Sequence, residues 1–373
     1  MTKYRFGDIV REVKEKVDRS NNPYEYFIAG DHMDTDELHL LRRGSFKDSD
    51  VGPAFIRIFR PGQVLYGSRR TYLRKVAVAN FEGVTANTTF VLESKDESVL
   101  LQRLLPFIMQ SDRFVQHSIK RSKGSTNPYV LFTDLADYEI NLPNVEKQKE
   151  LADLLWTLDD VKMSYKRLIS ATNDLVKSQF IEMFGDPIIN DKKWPTMPLK
   201  KVAPEYSPKI PNQLNYWWLN LDMIEPYSGT IQHKVMEKKE NIGASTSTFN
   251  NTMVMYSKLR PYLNKVTVPD SYGYATNELI GLKPNETILN KFFLFNLLRS
   301  DQFVSYASGL SVGEQMPRMP VKFMREFTCI LPPLALQEKF VRLSEQSDKS
   351  KFTFPMVLRY THYGYSKLSN YVA

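Results

Sequence analysis

The sequence predicts a mixed α/β (α+β) protein with two tandemly duplicated globular domains, separated by long helices of the coiled-coil type. Three observations lead to this fold class: an internal repeat, short β-type segments that recur in both copies, and a heptad pattern between the copies. A chain of 373 residues also exceeds what one hydrophobic core usually fills. Two domains of about 150 residues each are therefore expected.

The internal repeat appears when the chain is shifted against itself. At a shift of 190 residues, VLYGSRRTYLRKVAV (64–78) lies over VMYSKLRPYLNKVTV (254–268), and eight of the 15 positions are identical. At a shift of 189, a loop glycine and a Leu-Pro-x4-Gln motif also coincide: Gly124 with Gly313, and Leu142 to Gln148 with Leu331 to Gln337. The repeat predicts a tandem duplication.

Both copies have the same order of predicted elements. Short runs of β-branched and aromatic residues come first, and those of the first copy are 54–59, 64–66, 76–79 and 90–92. A helical stretch follows, at about 98–116 in the first copy and 289–307 in the second. A polar loop with a glycine, a strand that ends in Leu-Pro and a helix complete each copy. The predicted segments are 1–143, the first globular domain; 144–187, a central spacer helix; 188–333, the second domain; and 334–373, a shortened helix with an irregular tail.

The central helix has the clearest local pattern. Pro143-Asn144 supplies a stop and an N-cap before it, and Gly185 with Pro187 ends it. Between them, apolar residues alternate at spacings of three and four, as in a heptad stripe: Leu151, Leu154, Leu158, Val161 and Leu168. Such a stripe needs an apolar partner. A helix of about 40 residues spans roughly 60 Å, which favours a spacer between two globules over a two-helix hairpin packed on its own domain.

The second copy of this helix is predicted to be short. Leu336, Phe340 and Leu343 share one face, but polar residues take the next positions of the stripe. Pro355 then interrupts any helix. We expect a helix over about 334–352, an irregular tail after it, and an apolar remainder on the central helix.

Composition limits the function classes. The single cysteine, Cys329, excludes a disulfide framework and a cysteine-based zinc site, and it fits a reducing cytoplasm. The charged start MTKYRFGDIV gives no sign of a secretory segment, and no apolar run approaches the roughly 20 residues of a membrane span. We therefore expect a cytoplasmic protein without a membrane partner. A net charge of +8 suits a polyanionic partner.

The order and doubling of these motifs resemble the specificity subunit of type I restriction–modification systems. The resemblance covers roughly residues 1 to 350. The motifs that carry it are LPNVEKQKELADLL (142–155), LPPLALQEKFVRLS (331–344), the loops GSTNPYVLFTDLADYEINLP and GEQMPRMPVKFMREFTCILP, and the QFIEMFGDP end of the central helix. The tail after Phe352 departs from the family, in which a helix antiparallel to the central one continues.

This resemblance implies a non-catalytic reader of double-stranded DNA. Each globule would be a target-recognition domain that reads one half of a bipartite target from the major groove. The helices would set the separation of the half-sites and dock methyltransferase subunits, which carry S-adenosylmethionine. A separate motor-nuclease subunit would restrict unmodified DNA, and this chain would hold no cofactor or metal.

Candidate DNA contacts lie first in the best-matched stretch of the repeat. Its polar and aromatic residues are Tyr66, Arg69, Arg70, Tyr72 and Lys75 in the first copy, and Tyr256, Lys258, Arg260, Tyr262 and Lys265 in the second. Arginine and lysine neutralise phosphates, arginine also pairs with guanine, and tyrosine donates to phosphate or stacks. The alternative is a solvated turn whose tyrosines belong to the core.

The glycine-containing loops hold the second set of candidates. These residues combine positive charge, short hydrogen-bonding groups and a flexible glycine: Arg121, Lys123, Gly124 and Ser125 in the first copy, and Gly313, Gln315 and Arg318 in the second. A glutamine can make a bidentate contact to adenine. The same composition is also typical of an ordinary surface loop.

Enzymatic alternatives have weaker signals. Asn127-Pro128-Tyr129 lacks the second proline of the amino-methyltransferase motif, and no phosphate-binding GxxxxGK[ST] occurs. Asp222, Glu237 and Lys239 have only a loose version of a nuclease metal site. Two alternatives stay open beside the DNA specificity subunit: a DNA-binding enzyme with its own metal-dependent nuclease site, and an inactive or truncated specificity remnant.

Overall fold

The computed structural model describes residues 1–49 and 51–349. These residues form two compact units, the first from Met1 to Tyr165 and the second from Lys166 to the end of the described residues. Both units are mixed α/β, which confirms the predicted fold class at this level. The predicted irregular tail and the last residues of the predicted C-terminal helix lie outside the described residues.

The first unit is built from short strands and short helices. Its strands are β1 Thr2–Arg5, β2 Val10–Glu12, β3 Tyr26–Ile28, β4 Gly44–Ser45, β5 Phe55–Phe59, β6 Val64–Gly67, β7 Val76–Val78, β8 Gly83–Ala86, β9 Thr89–Ser94 and β10 Glu139–Leu142. Its helices are α1 Phe6–Ile9, α2 Leu105–Gln110, α3 Asp112–Arg121, α4 Phe132–Ala136 and the start of α5 Val145–Phe184, with 3-10 helices Arg19–Asn21, Thr71–Leu73 and Gln102–Leu104.

The second unit follows the same plan. Its strands are β11 Thr196–Pro198, β12 Asn215–Leu219, β13 Val235–Lys238, β14 Thr246–Phe249, β15 Val254–Ser257, β16 Val266–Thr267, β17 Gly273–Thr276, β18 Leu279–Leu282 and β19 Thr328–Ile330. Its helices are α6 Leu199–Val202, α7 Lys291–Arg299, α8 Asp301–Gly309, α9 Val321–Glu326 and α10 Leu334–Lys349, with 3-10 helices Leu221–Met223, Lys239–Asn241 and Pro261–Leu263.

Sheet order is repeated between the units. In the first unit the sheets have the orders β1-β10, β4-β3-β8-β5 and β2-β9-β6-β7, and in the second β11-β19, β13-β12-β17-β14 and β16-β15-β18. The central pair of each four-stranded sheet that contains β3 or β12 is parallel, β3 with β8 and β12 with β17, and the other pairs are antiparallel. The strand pairing of the second unit thus follows that of the first.

The strands β6, β7 and β9 are apolar on both faces because both faces are covered. Successive side chains of a strand point to opposite faces. In β6, Val64 and Tyr66 pack with α2 and α3, whereas Leu65 packs with residues of the sheet that contains β3 and β8. Tyr256 and Met255 of β15 divide in the same way between two cores of the second unit. Each unit therefore has three layers: a layer of helices, a central sheet and a second sheet.

The glutamine of the Leu-Pro-x4-Gln motif has a structural role in both units. Gln148 and Gln337 are buried, at 1% and 0% exposure. Each Oε1 accepts a hydrogen bond from a main-chain N–H of its own unit, Leu101 or Asn290, and each Nε2 donates to two main-chain carbonyls. One of these carbonyls belongs to the proline of the motif, at 3.0 Å for Pro143 and 2.7 Å for Pro332. The motif therefore fixes the start of each helix on its globule.

The central helix α5 is continuous over 40 residues, or about 60 Å. The division between the compact units falls inside this helix and not at its ends. Its first half buries Ala152, Leu155 and Met163. Most of the predicted heptad stripe is instead exposed, so the face that packs on the first globule differs from the face that the apolar pattern singled out.

A buried ionic network joins the first globule to α5. Glu37, Asp159 and Lys162 are 1%, 0% and 3% exposed, and His39 is half-buried at their edge. The Lys162 ammonium contacts the Asp159 carboxylate and lies 3.8 Å from Glu37. The Nε2 of His39 lies 2.7 Å from Asp159 Oδ2. Two carboxylates and two basic groups therefore compensate one another inside the unit.

The network shifts two pKa values. The hydrogen bond with Asp159 raises the pKa of His39, against the opposing effect of burial. Burial acts to raise the pKa of Asp159, but the hydrogen bond with His39 and the charge of Lys162 outweigh it and lower that pKa. Protonated His39 therefore stabilises the folded unit below its ordinary pKa of 6.5, and this stability is lost as the pH rises through the raised value.

We expect the His39→Gln substitution to lower the free energy of unfolding more at pH 6 than at pH 8.5. At the lower pH the imidazolium is present to pair with Asp159, and this ion pair is lost as the pH rises through the raised pKa of His39. Urea unfolding of the full chain at both pH values measures the difference. The matched control is His233→Gln, which removes an exposed histidine of the second unit. An equal loss at both pH values would contradict the ionic role of His39.

We also expect Gln148→Leu to lower the free energy of unfolding of the first unit by about 1–3 kcal/mol. The substitution leaves main-chain groups that Gln148 satisfies without a partner in a buried place. The measurement is the urea midpoint of the full chain. Lys149→Leu, an exposed change at the next position of α5, serves as the control and should leave this midpoint almost unchanged. Equal midpoints for both variants would show that the motif glutamine is dispensable.

Candidate nucleic-acid interface

Each unit has an arginine in an unusual backbone conformation just after a core strand. Arg70 follows β6 and Arg260 follows β15, and their φ angles are 51° and 50°. Residues other than glycine seldom adopt this left-handed conformation, which costs of order 1 kcal/mol or more. A 3-10 helix follows each arginine, Thr71–Leu73 in the first unit and Pro261–Leu263 in the second. The same strained turn is therefore built twice.

The glycine-containing loop of each unit is a short hairpin. Lys123 and Tyr129 exchange two main-chain hydrogen bonds of 2.8 and 2.9 Å, and Val312 and Arg318 exchange two of 2.9 Å. Gly124 and Gly313 begin the hairpin tips with φ of 89° and 106°. Glycine suits these positions because it lacks a Cβ.

The turn and the hairpin are joined at the strained arginine. The backbone N–H of Arg70 donates to the carbonyl of Pro128 over 2.6 Å, and that of Arg260 donates to Pro317 over 2.7 Å. We call each assembly a turn–hairpin frame: residues 68–75 with 123–129 in the first unit, and 258–265 with 312–318 in the second. The structure thus brings together, in both units, two stretches that the sequence offered as separate candidates for DNA contact.

The first frame presents exposed positive charge. Arg69 and Arg70 are exposed and form no ion pair with any described residue. The Arg70 Nε donates to Asn127 Oδ1 of the hairpin at 3.3 Å. Lys123 pairs with Asp134 at 2.9 Å, and Arg121 lies 3.8 Å from Asp137. The two arginines of the turn are therefore the more available cations.

The second frame has a related but different charge pattern. Arg260 Nη2 donates to the main-chain oxygen of Gln315 at 3.3 Å. Arg318 pairs with Glu278 at 3.0 Å, and this hydrogen bond raises the pKa of the Arg318 guanidinium. Lys258 is half-exposed beside them. Tyr262 is 45% exposed on the 3-10 helix, where the first frame has Tyr72 at 53%. Each frame therefore combines cations with one exposed tyrosine ring.

The prediction that Tyr66 and Tyr256 contact DNA is wrong. Both are 3% exposed, because they point from their strands into the helix-covered core. Tyr66 packs edge-on against Phe114, with 6.2 Å between the ring centroids. Burial raises the pKa of Tyr66 to about 12 and also raises that of Tyr256. Neither ring is available to DNA.

Lys75 and Lys265 are also engaged within their units. The Lys75 ammonium donates to the main-chain oxygen of Gly30, and the Lys265 ammonium to that of Leu221 at 2.5 Å. Burial lowers the pKa of Lys265. These hydrogen bonds join the turn to a neighbouring segment, at Gly30 in the first unit and Leu221 in the second. The sequence did not indicate this structural role.

The exposed side of α5 forms a second candidate surface. Its large apolar residues recur every seven positions: Leu154, Val161, Leu168 and Leu175, which are 57%, 41%, 49% and 55% exposed. Asp153, Asp160 and Asp174 are exposed beside them. At the end of α5, Phe340 of α10 packs on Phe180, with 5.4 Å between the ring centroids. Leu336 packs on the core of the second unit, whereas Leu343 is 40% exposed.

Groups suited to catalysis are few among the described residues. In this part of the chain, one set of three ligand-type side chains lies within 4.8 Å, namely Glu37, His39 and Asp159, and the Lys162 ammonium contacts the Asp159 carboxylate of this set. Asp222 and Glu237 belong to no such set there. Cys329 is fully buried, which raises the pKa of its thiol to about 12. Over the same residues, the structure contains no candidate for a membrane-spanning helix.

Comparison with known proteins finds similarity to type I restriction–modification specificity subunits. Residues 12–172 match the family model described as the type I restriction modification DNA specificity domain. The chain is 24% identical over 265 residues to the type I restriction enzyme EcoDI specificity subunit of Escherichia coli, a match that covers 61% of this chain and 59% of the relative. It is 26% identical over 195 residues to the HindI specificity subunit of Haemophilus influenzae, which covers 50% of this chain and 41% of that protein.

The fold also has a solved counterpart. The crystal structure of a type I restriction–modification system S subunit from M. genitalium superposes with a TM-score of 0.55 at 13% identity, over 98% of this chain and 95% of that one. The matches to the two relatives span about three fifths and two fifths of those proteins. The resemblance expected from the sequence is therefore confirmed: residues 12–172 match the type I DNA specificity domain model, and the chain is similar to type I specificity subunits.

Proposed function

We propose that the chain is the DNA specificity subunit of a type I restriction–modification complex, in which each unit reads one half of a bipartite double-stranded target. One observation carries the proposal: the same turn–hairpin frame occurs once in each unit, with partly or fully exposed cations and an exposed tyrosine. Cations of this kind neutralise phosphates, and arginine also contacts guanine edges. The net charge of +8 supports a DNA partner, and the relatives are named specificity subunits.

The similarity of the two units supports a tandem duplication. The strand order, the left-handed arginine and the bond to the hairpin proline recur in the second unit. Two equivalent readers on one chain suit a target with two half-sites. The helix α5, continuous over 40 residues, would act as the spacer that fixes the separation of the half-sites.

The exposed face of α5 would dock the methyltransferase subunits. Contact of four large apolar side chains with water is unfavourable. Burial of these side chains under a partner subunit therefore stabilises the complex. Asp160 and Asp174 beside them favour a partner with basic residues. Asp153 already pairs with Arg103 at 2.7 Å, and the exposed Arg167 takes the matching position between the two other aspartates. The partner subunits would carry S-adenosylmethionine, a motor-nuclease subunit would restrict DNA, and this chain would be non-catalytic. Its target, genomic DNA, would place it in the cytoplasm.

We expect Arg70→Asn and Arg260→Asn each to weaken DNA binding, by about 1–3 kcal/mol where the arginine contacts a base and by less where it contacts a phosphate. Asparagine tolerates the left-handed backbone better than alanine, so the turn is preserved. Each change should affect one half-site only. The measurement is the affinity of the full chain with its methyltransferase subunit for cognate duplexes at several salt concentrations.

Two controls remove a positive charge outside the frames: Lys14→Gln in the first unit and Lys201→Gln in the second, both exposed. They should change the affinity little. Unchanged affinity for both arginine variants, with folding intact by circular dichroism, would remove the frames from the DNA interface.

We further expect an insertion of four residues after Ser170 to lengthen the spacer of the target. Four helical residues add roughly 6 Å, which corresponds to one or two base pairs at about 3.4 Å per pair. Both half-site sequences should stay the same. Mapping methylated sites in cells that express the variant with its methyltransferase measures the spacer, and Ser170→Ala is the control. An unchanged spacer, or altered half-sites, would show that α5 does not set the separation.

A further inference from the structure

We propose that the hairpin tips, residues 125–127 and 314–316, contact base edges and determine the sequence of the two half-sites, while the rest of each frame holds its tip in place and supplies the cations that contact DNA phosphates. This inference rests on the proposed function and assigns the discriminating residues within it. It separates two roles, contact with the DNA backbone and selection of bases, that the charge pattern alone does not distinguish.

The frames are nearly identical in geometry. The bond from the arginine N–H to the proline carbonyl is 2.6 Å in one unit and 2.7 Å in the other. The bond that joins the hairpin to the strand end is 3.0 Å from Val130 N to Ser68 O, and 2.9 Å from Met319 N to Lys258 O. The two units therefore present their tips from the same backbone scaffold.

The tips themselves differ in chemistry. The first carries Ser125, Thr126 and Asn127, and the second carries Glu314, Gln315 and Met316 at the equivalent positions. All six residues are exposed. A shared scaffold with different side chains at one exposed place is the arrangement that lets two copies of one domain select different sequences.

The tip side chains are available for contact. In the hydrogen-bond network of the described residues, the side chains of Ser125, Thr126, Glu314 and Gln315 have no partner. Asn127 differs, since its Oδ1 accepts from Arg70. The amide nitrogen of Asn127 remains available to donate to DNA, so the hydrogen-bonded Asn127 and Arg70 would contact the first half-site together.

Glu314 distinguishes base contact from backbone contact. A carboxylate close to phosphates is repelled, and an exposed glutamate at the tip of a cationic frame would weaken backbone binding. Against base edges the same carboxylate is useful, because it accepts from the amino group of cytosine. Glutamine and asparagine pair with the N6 and N7 of adenine, and serine or threonine bonds to several bases. We expect an adenine contact by Gln315 and a cytosine contact by Glu314 in the second half-site.

The experiment selects bound duplexes from a randomised library, with the full chain in complex with its methyltransferase subunit. The wild-type complex should return one bipartite motif. Gln315→Ala should reduce the preference for one adenine by about tenfold or more, and Glu314→Gln should do the same for one cytosine. Both losses should fall in the same half-site, with the other half-site and the spacer unchanged.

The reciprocal variant is the internal control. Thr126→Ala, at the position equivalent to Gln315, should alter only the other half-site. Val312→Ala changes a side chain that is 68% exposed on the hairpin stem and should leave both half-sites unaltered. Because these side chains are exposed, we expect each variant to fold, and circular dichroism checks this expectation.

The outcomes separate the two proposals. Failure of the wild-type complex to return a bipartite motif would overturn the proposed function itself. A bipartite wild-type motif that Gln315→Ala and Glu314→Gln leave unchanged at every position would overturn only the role of the tips. Changes to the same half-site from Thr126→Ala and Gln315→Ala would also overturn it, because the tips would then not serve separate half-sites.

Discussion

The hydrogen bond from a left-handed arginine to a hairpin proline is the interaction on which both candidate DNA surfaces depend. At Arg70 and Arg260 the backbone pays a conformational penalty. The bonds to Pro128 and Pro317 offset this penalty and join two segments that are far apart in the chain. Together with the bonds from Val130 N to Ser68 O and from Met319 N to Lys258 O, this bond fixes the cations of the turn relative to the tip of the hairpin.

The repeat, and with it the order of elements along the chain, could be predicted from the sequence. Core strands must alternate their side chains between two covered faces, so their apolar pattern is constrained in both copies. The prediction of DNA contacts at Tyr66 and Tyr256 was wrong, because aromatic residues suit a core as well as a DNA surface. The joining of turn and hairpin could not be predicted either, since a main-chain bond across more than 50 residues leaves no mark on side-chain composition.

The central helix shows a similar limit. Its apolar heptad stripe correctly indicated a long helix, and the structure has one over Val145–Phe184. The stripe did not indicate which face packs on the first globule. That face includes Asp159 and Lys162, charged residues that a pattern of apolar positions assigns to solvent. They are buried because each compensates the charge of the other, together with Glu37 and His39.

The ionic network therefore determines which face of α5 is available to a partner. Side chains three or four positions apart lie on one side of a helix, so burial of Ala152, Leu155, Asp159 and Lys162 fixes the rotation of the helix on its globule. With that rotation fixed, Leu154 and Val161 of the first unit face solvent. A wholly apolar interface would tolerate small rotations, whereas buried charges must meet their counter-charges. Polar groups inside the first unit thus orient the apolar surface that we propose for subunit docking.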